Sequence, residues 1–340
     1  MIQEAIRLLV ARADLGEDVA HAAMADIMAG RATQAQTGAF LAALAEKGET
    51  VEEVAGAARA MREAATPVPA KRRPLTDTAG TGGDGRRTFN ISTAAAFVIA
   101  GAGGRVAKHG NRAATSSCGS ADVLEALGVP LDLSPSDVAA SIDEVGFGFL
   151  FAQALHGAMK HAAPARRELG VPTVFNLLGP LTNPAGAERQ LIGAASERAL
   201  DLLAGALLRL GTERSLVVHG AGGADEATLE GPSHVVEIED GRRRDHEVDP
   251  EALGLSRAPN AALMGGRPGE NAALLLGVLR GEGGPRRDVV VLNAALGLRA
   301  AGIAADIREG AGRAAEAIDS GRALQVLEGL RTFGREALER

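Results

Sequence analysis

The chain has 340 residues and a formal net charge of −7, which suggests two domains or one large α/β unit. Hydrophobic residues make up 46% of it, ample for a buried interior. The acidic balance, with no Trp, no Tyr and only eight Phe, argues against a nucleic-acid binder, which needs a basic field and aromatic platforms for the bases.

The first 65 residues read as helices. "IQEAIRLLVARA" is amphipathic, and "EDVAHAAMADIMAG" ends at Gly30. Capping-box patterns, Thr33 with Gln36 and Thr50 with Glu53, open the next two. The breakers in "TPVPAKRRP" place a hinge near 66–74. After Pro74 the β-like runs "GRVAKHG", "GFLFA", "RQLIGAA", "RSLVVHG", "SHVVEIE" and "RDVVVLNAA" alternate with helical patterns such as "SPSDVAASIDEVG" and "ERALDLLAGALLRLG". That alternation predicts an α/β fold with a central, mostly parallel sheet covered by helices, beside a small all-helical domain. The strand-poor "HGAMKHAAPARRELG" is expected to rejoin the helices. The expected division is 1–66 with about 157–187, against 74–156 with 188–340.

The longest apolar runs are too short to cross a bilayer, and "MIQEAIRLLVARADLGEDVA" has no signal-peptide core. Cys118 is the only cysteine, which leaves no internal disulfide and no thiolate cluster for zinc. A soluble, cytoplasmic protein is expected, with no membrane partner.

Four stretches could carry chemistry. In "GTGGDG", residues 80–85, four glycines let backbone N–H groups converge on an anion, and Asn90 or Ser92 could cap a helix whose N-terminus would favour phosphate. No GK[ST] follows, so it is not a P-loop, and Asp84 fits poorly beside a bare pyrophosphate unless a metal or a sugar hydroxyl intervenes. An ordinary glycine-rich turn is the competing reading. "VAKHGNRAATSSCGSAD" brings Lys108, His109, Asn111 and Arg112 close to the hydroxyls of Thr115, Ser116 and Ser120, although "KHGNR" alone also describes a solvated basic loop. Cys118 has no base beside it in sequence and reads as a small packing residue. "HGAGGADEATLEG" offers Asp225 and Glu226 after an apolar strand, a pair suited to Mg²⁺ or simply a solvated acidic loop. His156 and Arg166 lie in the strand-poor segment, where Arg166 could pair with a carboxylate or remain a surface charge.

In order and spacing, "GTGGDGRRTFNIST", "KHGNRAATSSCGSADVLEALGV", "FLFAQALHGAMKHAAPARRELGVPTVFNLLGPLTNPAG" and "VVHGAGGADEATLEG" resemble the anthranilate phosphoribosyltransferase family, over nearly the whole chain. Those tryptophan-pathway enzymes join anthranilate to phosphoribosyl pyrophosphate (PRPP). The resemblance implies a nucleoside-phosphorylase-like fold, a homodimer joined through the helical domains, and Mg²⁺, two ions per subunit with PRPP. It implies a PRPP site at Gly80, Gly82, Gly83, Asp84, Thr88, Asn90, Ile91, Ser92 and Thr93, walled by Lys108, His109, Gly110, Asn111, Arg112, Ala113, Ala114, Thr115, Ser116 and Ser120. Anthranilate would meet Gly80, Asn111, His156 and Arg166, the metal would meet Ser92, Asp225 and Glu226, and no protein nucleophile is implied. Gly157, Gly222 and Ser117 depart from the family's usual Pro, Asp and basic residue. Two rivals share the fold. Pyrimidine nucleoside phosphorylases resemble "GTxDKLE" where this chain has "GSADVLEALG", and a non-catalytic nucleic-acid-binding relative conflicts with the charge and the missing aromatics.

Overall fold

The computed structural model describes residues 1–113 and 117–340; Ala114, Thr115 and Ser116, expected in the PRPP wall, lie outside them. The chain begins with α1 (Ile2–Val10), α2 (Glu17–Met28), α3 (Gln34–Lys47) and α4 (Val51–Ala64). Both capping boxes form: Thr33 and Gln36 satisfy each other's backbone N–H, as do Thr50 and Glu53. Glu53 is wholly buried, a costly position for a carboxylate. Donors from Leu15 N (2.9 Å), Thr50 N (2.8 Å) and Lys47 Nζ (3.1 Å) satisfy it.

The second unit runs β1 (Thr76–Gly80), α5 (Ile91–Gly101), β2 (Val106–Gly110), α6 (Ser120–Ala126), α7 (Pro135–Val145) and β3 (Phe147–Phe151). Short helices α8 (Ala152–Leu155), α9 (Ala163–Leu169) and α10 (Phe175–Leu178) follow. The chain then returns through β4 (Arg189–Gly193), α11 (Glu197–Arg209), β5 (Arg214–His219), β6 (Ser233–Glu239) and β7 (Arg242–Val248). It closes with α12 (Pro268–Leu279), α13 (Pro285–Ala300), α14 (Ile307–Asp319) and α15 (Arg322–Leu338). The strands form one sheet in the order β3-β2-β1-β4-β5-β6-β7. The first five are parallel and the last two antiparallel. One core packs α5 and α12–α15 together with the sheet's residues Leu191, Leu216 and Val218. A second packs α1–α4, α10 and α11 with Ile192, Val217 and Val236, which alternate with them along the strands and so point to the other face. Ala162, Val174, Phe175 and Leu178 belong to this second core, so the strand-poor segment packs with the first helices.

One local reading of the sequence fails, and two strands go unread. "RDVVVLNAA" lies in helix α13, not in a strand. Every residue from Val289 to Leu298 is buried, and without a polar face a buried helix shows the same apolar run as a buried strand. β1 and β7 carry no strand signature. β1 is the polar "TDTAG", and β7 is an exposed edge, "RRRDHEV", whose charges suit a strand that must not recruit another.

Gly56 sets the spacing of α2 and α4. A Cβ there would overlap the carbonyl of Glu17 and stand 2.9 Å from His21 N. Gly56→Ala should therefore force the two helices apart and lower unfolding stability by about 1–3 kcal/mol, read as a shift in urea midpoint. An unchanged midpoint would show that the helices separate freely.

Candidate active site

The chain leaves β1 for β2 on one side and later returns to β4 on the other, so the strand order reverses beside β1. In parallel sheets a ligand crevice opens at the carboxyl ends of such strands. Here β1 and β4 end on paired glycines, Gly80 and Gly193. Neither has room for a side chain. A Cβ on Gly80 would meet the Asp225 carboxylate, and one on Gly193 would meet the Asp225 carbonyl. The loop after β5 thus folds back over both strand ends, turning at Gly222 (φ 79°) and Gly223 (φ 83°).

The glycine-rich stretch meets this loop. Gly82 N–H donates to Asp225 Oδ2 at 2.7 Å. Asp84 accepts from Arg86 N–H at 3.0 Å, and its other oxygen lies 3.4 Å from Asp225 N. Gly83 turns with φ 79° and has nothing within 4 Å of where a Cβ would stand. Glu226 accepts from Ser92 N–H at 3.0 Å and from the Thr88 hydroxyl at 3.2 Å. It therefore caps α5, the role the sequence suggested for Asn90 or Ser92. Asn90 is at the N-cap, but its amide is drawn away, donating to Cys118 O (3.2 Å) and accepting from Asn271 (2.9 Å). Ile91 is a core side chain, and the Thr93 hydroxyl is buried without a partner among the described residues.

Asp84, Asp225 and Glu226 crowd one spot. Burial, then Asp84, pushes the Asp225 carboxyl up to about 6. Burial, then Asp225, pushes Glu226 well above the carboxylate range. No three His, Cys, Asp or Glu side chains among the described residues form a closed metal cage. Crowded carboxylates with oxygen donors alone nevertheless suit Mg²⁺, which takes one or two carboxylates and completes its shell with water and substrate phosphates.

The "KHGNR" stretch is only partly a loop. Lys108 and His109 lie on β2 and are buried, so the solvated-loop reading fails for these two. Lys108 Nζ donates to the carbonyl and hydroxyl of Thr78 and lies 3.5 Å from Ser92 Oγ, beneath the start of α5. Burial lowers its pKa to about 8. Gly110, Asn111, Arg112 and Ala113 lead out of the strand. Arg112 pairs with Asp122 and Glu125, and Asp122 also holds Ala113 N and Gly119 N. Ser120 Oγ donates to Asn111 O at 3.4 Å. Cys118 is buried and its thiol is pushed up to about 11, which leaves it un-ionised at neutral pH.

His109 and His156 form a buried pair with Nε2 atoms 3.1 Å apart. His109 Nδ1 lies 3.0 Å from the Gly179 carbonyl, which only accepts, so that nitrogen carries the proton. His109 Nε2 must then accept from His156 Nε2–H. Arg166 joins none of these groups. Its guanidinium stacks 4.7 Å over Phe175, and burial alone shifts its pKa, downward.

Sequence reasoning missed the buried Asp77, which accepts from His109 N (3.0 Å) and Asn183 Nδ2 (2.8 Å). It also missed Gly193. The one available signal was that β-like runs here keep ending in glycine, as in "VAKHG", "RQLIG" and "RSLVVHG". A cavity of about 570 Å³ opens elsewhere, at the β6–β7 hairpin, lined by Arg243, Arg244 and Arg299 among others. Those arginines are already paired with acids, whereas the crevice acids are not neutralised.

Residues 3–65 match the helical bundle domain of a glycosyl transferase family, and residues 72–324 match its a/b domain. An anthranilate phosphoribosyltransferase of Symbiobacterium thermophilum is 57% identical over 94% of this chain and 94% of its own length. The chain belongs to the anthranilate phosphoribosyltransferase family. The Thermus thermophilus member, 50% identical, superposes with a TM-score of 0.93 over 97% of this chain and 99% of that one. The Saccharomyces cerevisiae member, solved with PRPP and Mg, is 28% identical, with a TM-score of 0.89 over 98% of each chain.

In this member of the family the histidine pair has a thermodynamic consequence. Burial lowers both imidazoles from 6.5 to about 4. Between those pH values the unfolded chain binds more protons than the folded one, so the pair makes stability fall as pH drops from 6.5 towards 4. In urea unfolding, the double variant His109→Asn/His156→Asn should lose less of its midpoint over that window than the wild type. Equal losses would mean that the pair is protonated in the fold.

Proposed function

We infer that the protein transfers the phosphoribosyl group of PRPP to the amine of anthranilate, releasing pyrophosphate, as a step of tryptophan biosynthesis. One observation carries the reading: a glycine-rich turn, the N-terminus of α5 and an acidic loop converge over the carboxyl ends of β1 and β4. Family membership supports the choice of substrates. Neither a nucleoside phosphorylase nor a nucleic-acid-binding role has support among the relatives.

The reaction needs no protein nucleophile. Anthranilate's aromatic amine is unprotonated at neutral pH and can attack ribose C1 directly. Alignment of two substrates supplies roughly 7–11 kcal/mol in favourable cases, so the chain's main task is to hold them. Backbone N–H groups of residues 80–85 and of the start of α5 are proposed to face the pyrophosphate, where charge develops as the bond to C1 breaks. Ser92, Asp225 and Glu226 are proposed to hold Mg²⁺, with two ions per subunit as the fuller expectation. When bound, the metal neutralises pyrophosphate and makes it a better leaving group. Asn111 with the segment to Ser120 is proposed to hold the rest of PRPP. Lys108, buried beneath Ser92, supports that site from below.

Arg166 is proposed to bind the anthranilate carboxylate. It is unpaired by any acid among the described residues, and its guanidinium lies over the Phe175 ring, so its N–H donors are proposed to meet a bidentate acceptor. The test mixes protein, PRPP, Mg²⁺ and anthranilate and follows the loss of anthranilate fluorescence; no loss with folded protein removes the reading. In that assay Arg166→Ala should raise the anthranilate KM roughly ten- to a hundredfold and leave the PRPP KM nearly unchanged. An unaltered anthranilate KM would remove the assignment.

Asp225→Asn/Glu226→Gln should keep the loop's shape, lose its charge and drop Mg²⁺-dependent turnover to background. Full activity in this variant would place the metal elsewhere.

A further inference from the structure

The glycine-rich turn carries a charge that the neighbouring acids leave unused. Arg86 is exposed, and its backbone N–H is anchored on Asp84. Its guanidinium leans across onto the acidic loop. A Cβ built on Gly223 would stand 3.2 Å from an Arg86 terminal nitrogen. Gly223 lies two residues before Asp225, so this cation lies against the same loop that carries the two acids. Elsewhere on the surface, arginines near acids pair with them, as Arg112, Arg209 and Arg243 do. Among the described residues Arg86 forms no ion pair, and it is not among the largest influences on Asp225 or Glu226. Its charge is held at the mouth of the crevice and left free for another anion.

We propose that Arg86 binds the pyrophosphate of PRPP and stabilises it as the leaving group. This rests on the phosphoribosyltransferase reading above. Arg86 leans towards the loop after β5, on the β4 side of β1, where Asp225 and Glu226 lie. Residues 111–113 leave β2, which lies on the opposite side of β1, and this separates Arg86 from the wall assigned to the rest of PRPP. In the transfer, the C1–O bond breaks and its electron pair goes to the pyrophosphate oxygen. The amine lone pair forms the C1–N bond, and an amine proton passes to water. The negative charge that Arg86 meets therefore grows along the reaction, which favours the transition state over the bound substrate.

The experiment compares wild type with Arg86→Gln and Arg86→Lys. Arg86 is exposed, so its replacement leaves the core packing intact. Arg86→Gln should raise the PRPP KM and weaken product inhibition by pyrophosphate roughly five- to twentyfold, and lower kcat, with the anthranilate KM unchanged. Arg86→Lys, which keeps the charge, should recover most of the loss. A PRPP KM and pyrophosphate inhibition that both stay at wild-type values would overturn the proposal, as would a defect confined to anthranilate. Should the wild type itself turn over no anthranilate, the reaction assigned above falls. Calorimetric titration with Mg²⁺-pyrophosphate then judges Arg86 on its own: weaker binding to Arg86→Gln supports it, and equal affinity overturns it.

Discussion

Asp225 stands over the ends of β1 and β4 because neither strand presents a side chain there. Gly80 and Gly193 are register partners, and a methyl group on either would strike this one residue. The rest of the site follows from that contact. With Asp225 seated, its carboxylate accepts from Gly82 N–H and so places the glycine-rich turn. Glu226, the next residue, reaches Ser92 N–H and Thr88 and so places the start of α5. The acidic loop repeats the device beneath itself, since a Cβ on Gly220 would strike the Glu226 carbonyl. Glycine here serves close approach, because Gly80, Gly193 and Gly220 have ordinary φ, while the turning is done by Gly82, Gly83, Gly222 and Gly223.

The same packing makes the site electrostatically uncomfortable. Asp225 and Glu226 keep a partly open face, yet the surrounding protein removes enough water to raise both acids. Buried carboxylates of this kind oppose folding when ionised, so these two acids on their own lower the stability of the fold at neutral pH. A cation that binds only the folded chain offsets this by mass action, and a polyanionic substrate can then enter what would otherwise repel it. Lys108 does not take the cation's place. It is tethered to Thr78 and Ser92 from inside the sheet, and its positive charge supports the acids without reaching into the crevice.

Legibility in the sequence divided along physical lines. Capping boxes are local, and both formed at the residues that spelled them. The glycine-rich turn and the Asp225–Glu226 pair were legible as pieces, since backbone freedom and charge are written in residue type. What they would touch was not, because Gly82 and Asp225 are 143 positions apart. Burial misled in both directions. It hid α13, whose apolar surface is continuous, and it made "KHGNR" by itself look like a solvated basic loop, although the β-like run "GRVAKHG" already placed Lys108 and His109 on a strand. Asp77 gave no signal, because a buried acid is recognised by its partners, here His109 N and Asn183, and neither adjoins it in sequence. β1 was missed for the same reason. Its polar residues look like a loop until their hydrogen bonds are known.

The segment that carries His156 and Arg166 packs its apolar residues with the helices α1–α4, yet its polar groups are tied to the sheet. Gly179 O accepts from His109, Asn183 donates to Asp77 and to Ala107 O, and Gln190 of β4 donates to Pro180 O. These bonds are buried, and losing one would strand a polar group away from water at a cost of about 1–3 kcal/mol. The proposed acceptor side is thus fixed against β1, β2 and β4 in the folded state. Any closure that keeps these bonds must come from elsewhere. The loop that leaves β1, proposed to face PRPP, is tied instead to other loops: Gly82 N–H donates to Asp225, Ala195 N–H to the Thr81 hydroxyl, and Phe89 N–H to Leu263 O. The acceptor side is thus anchored on the sheet itself, and the donor side on the loops that cross its strand ends.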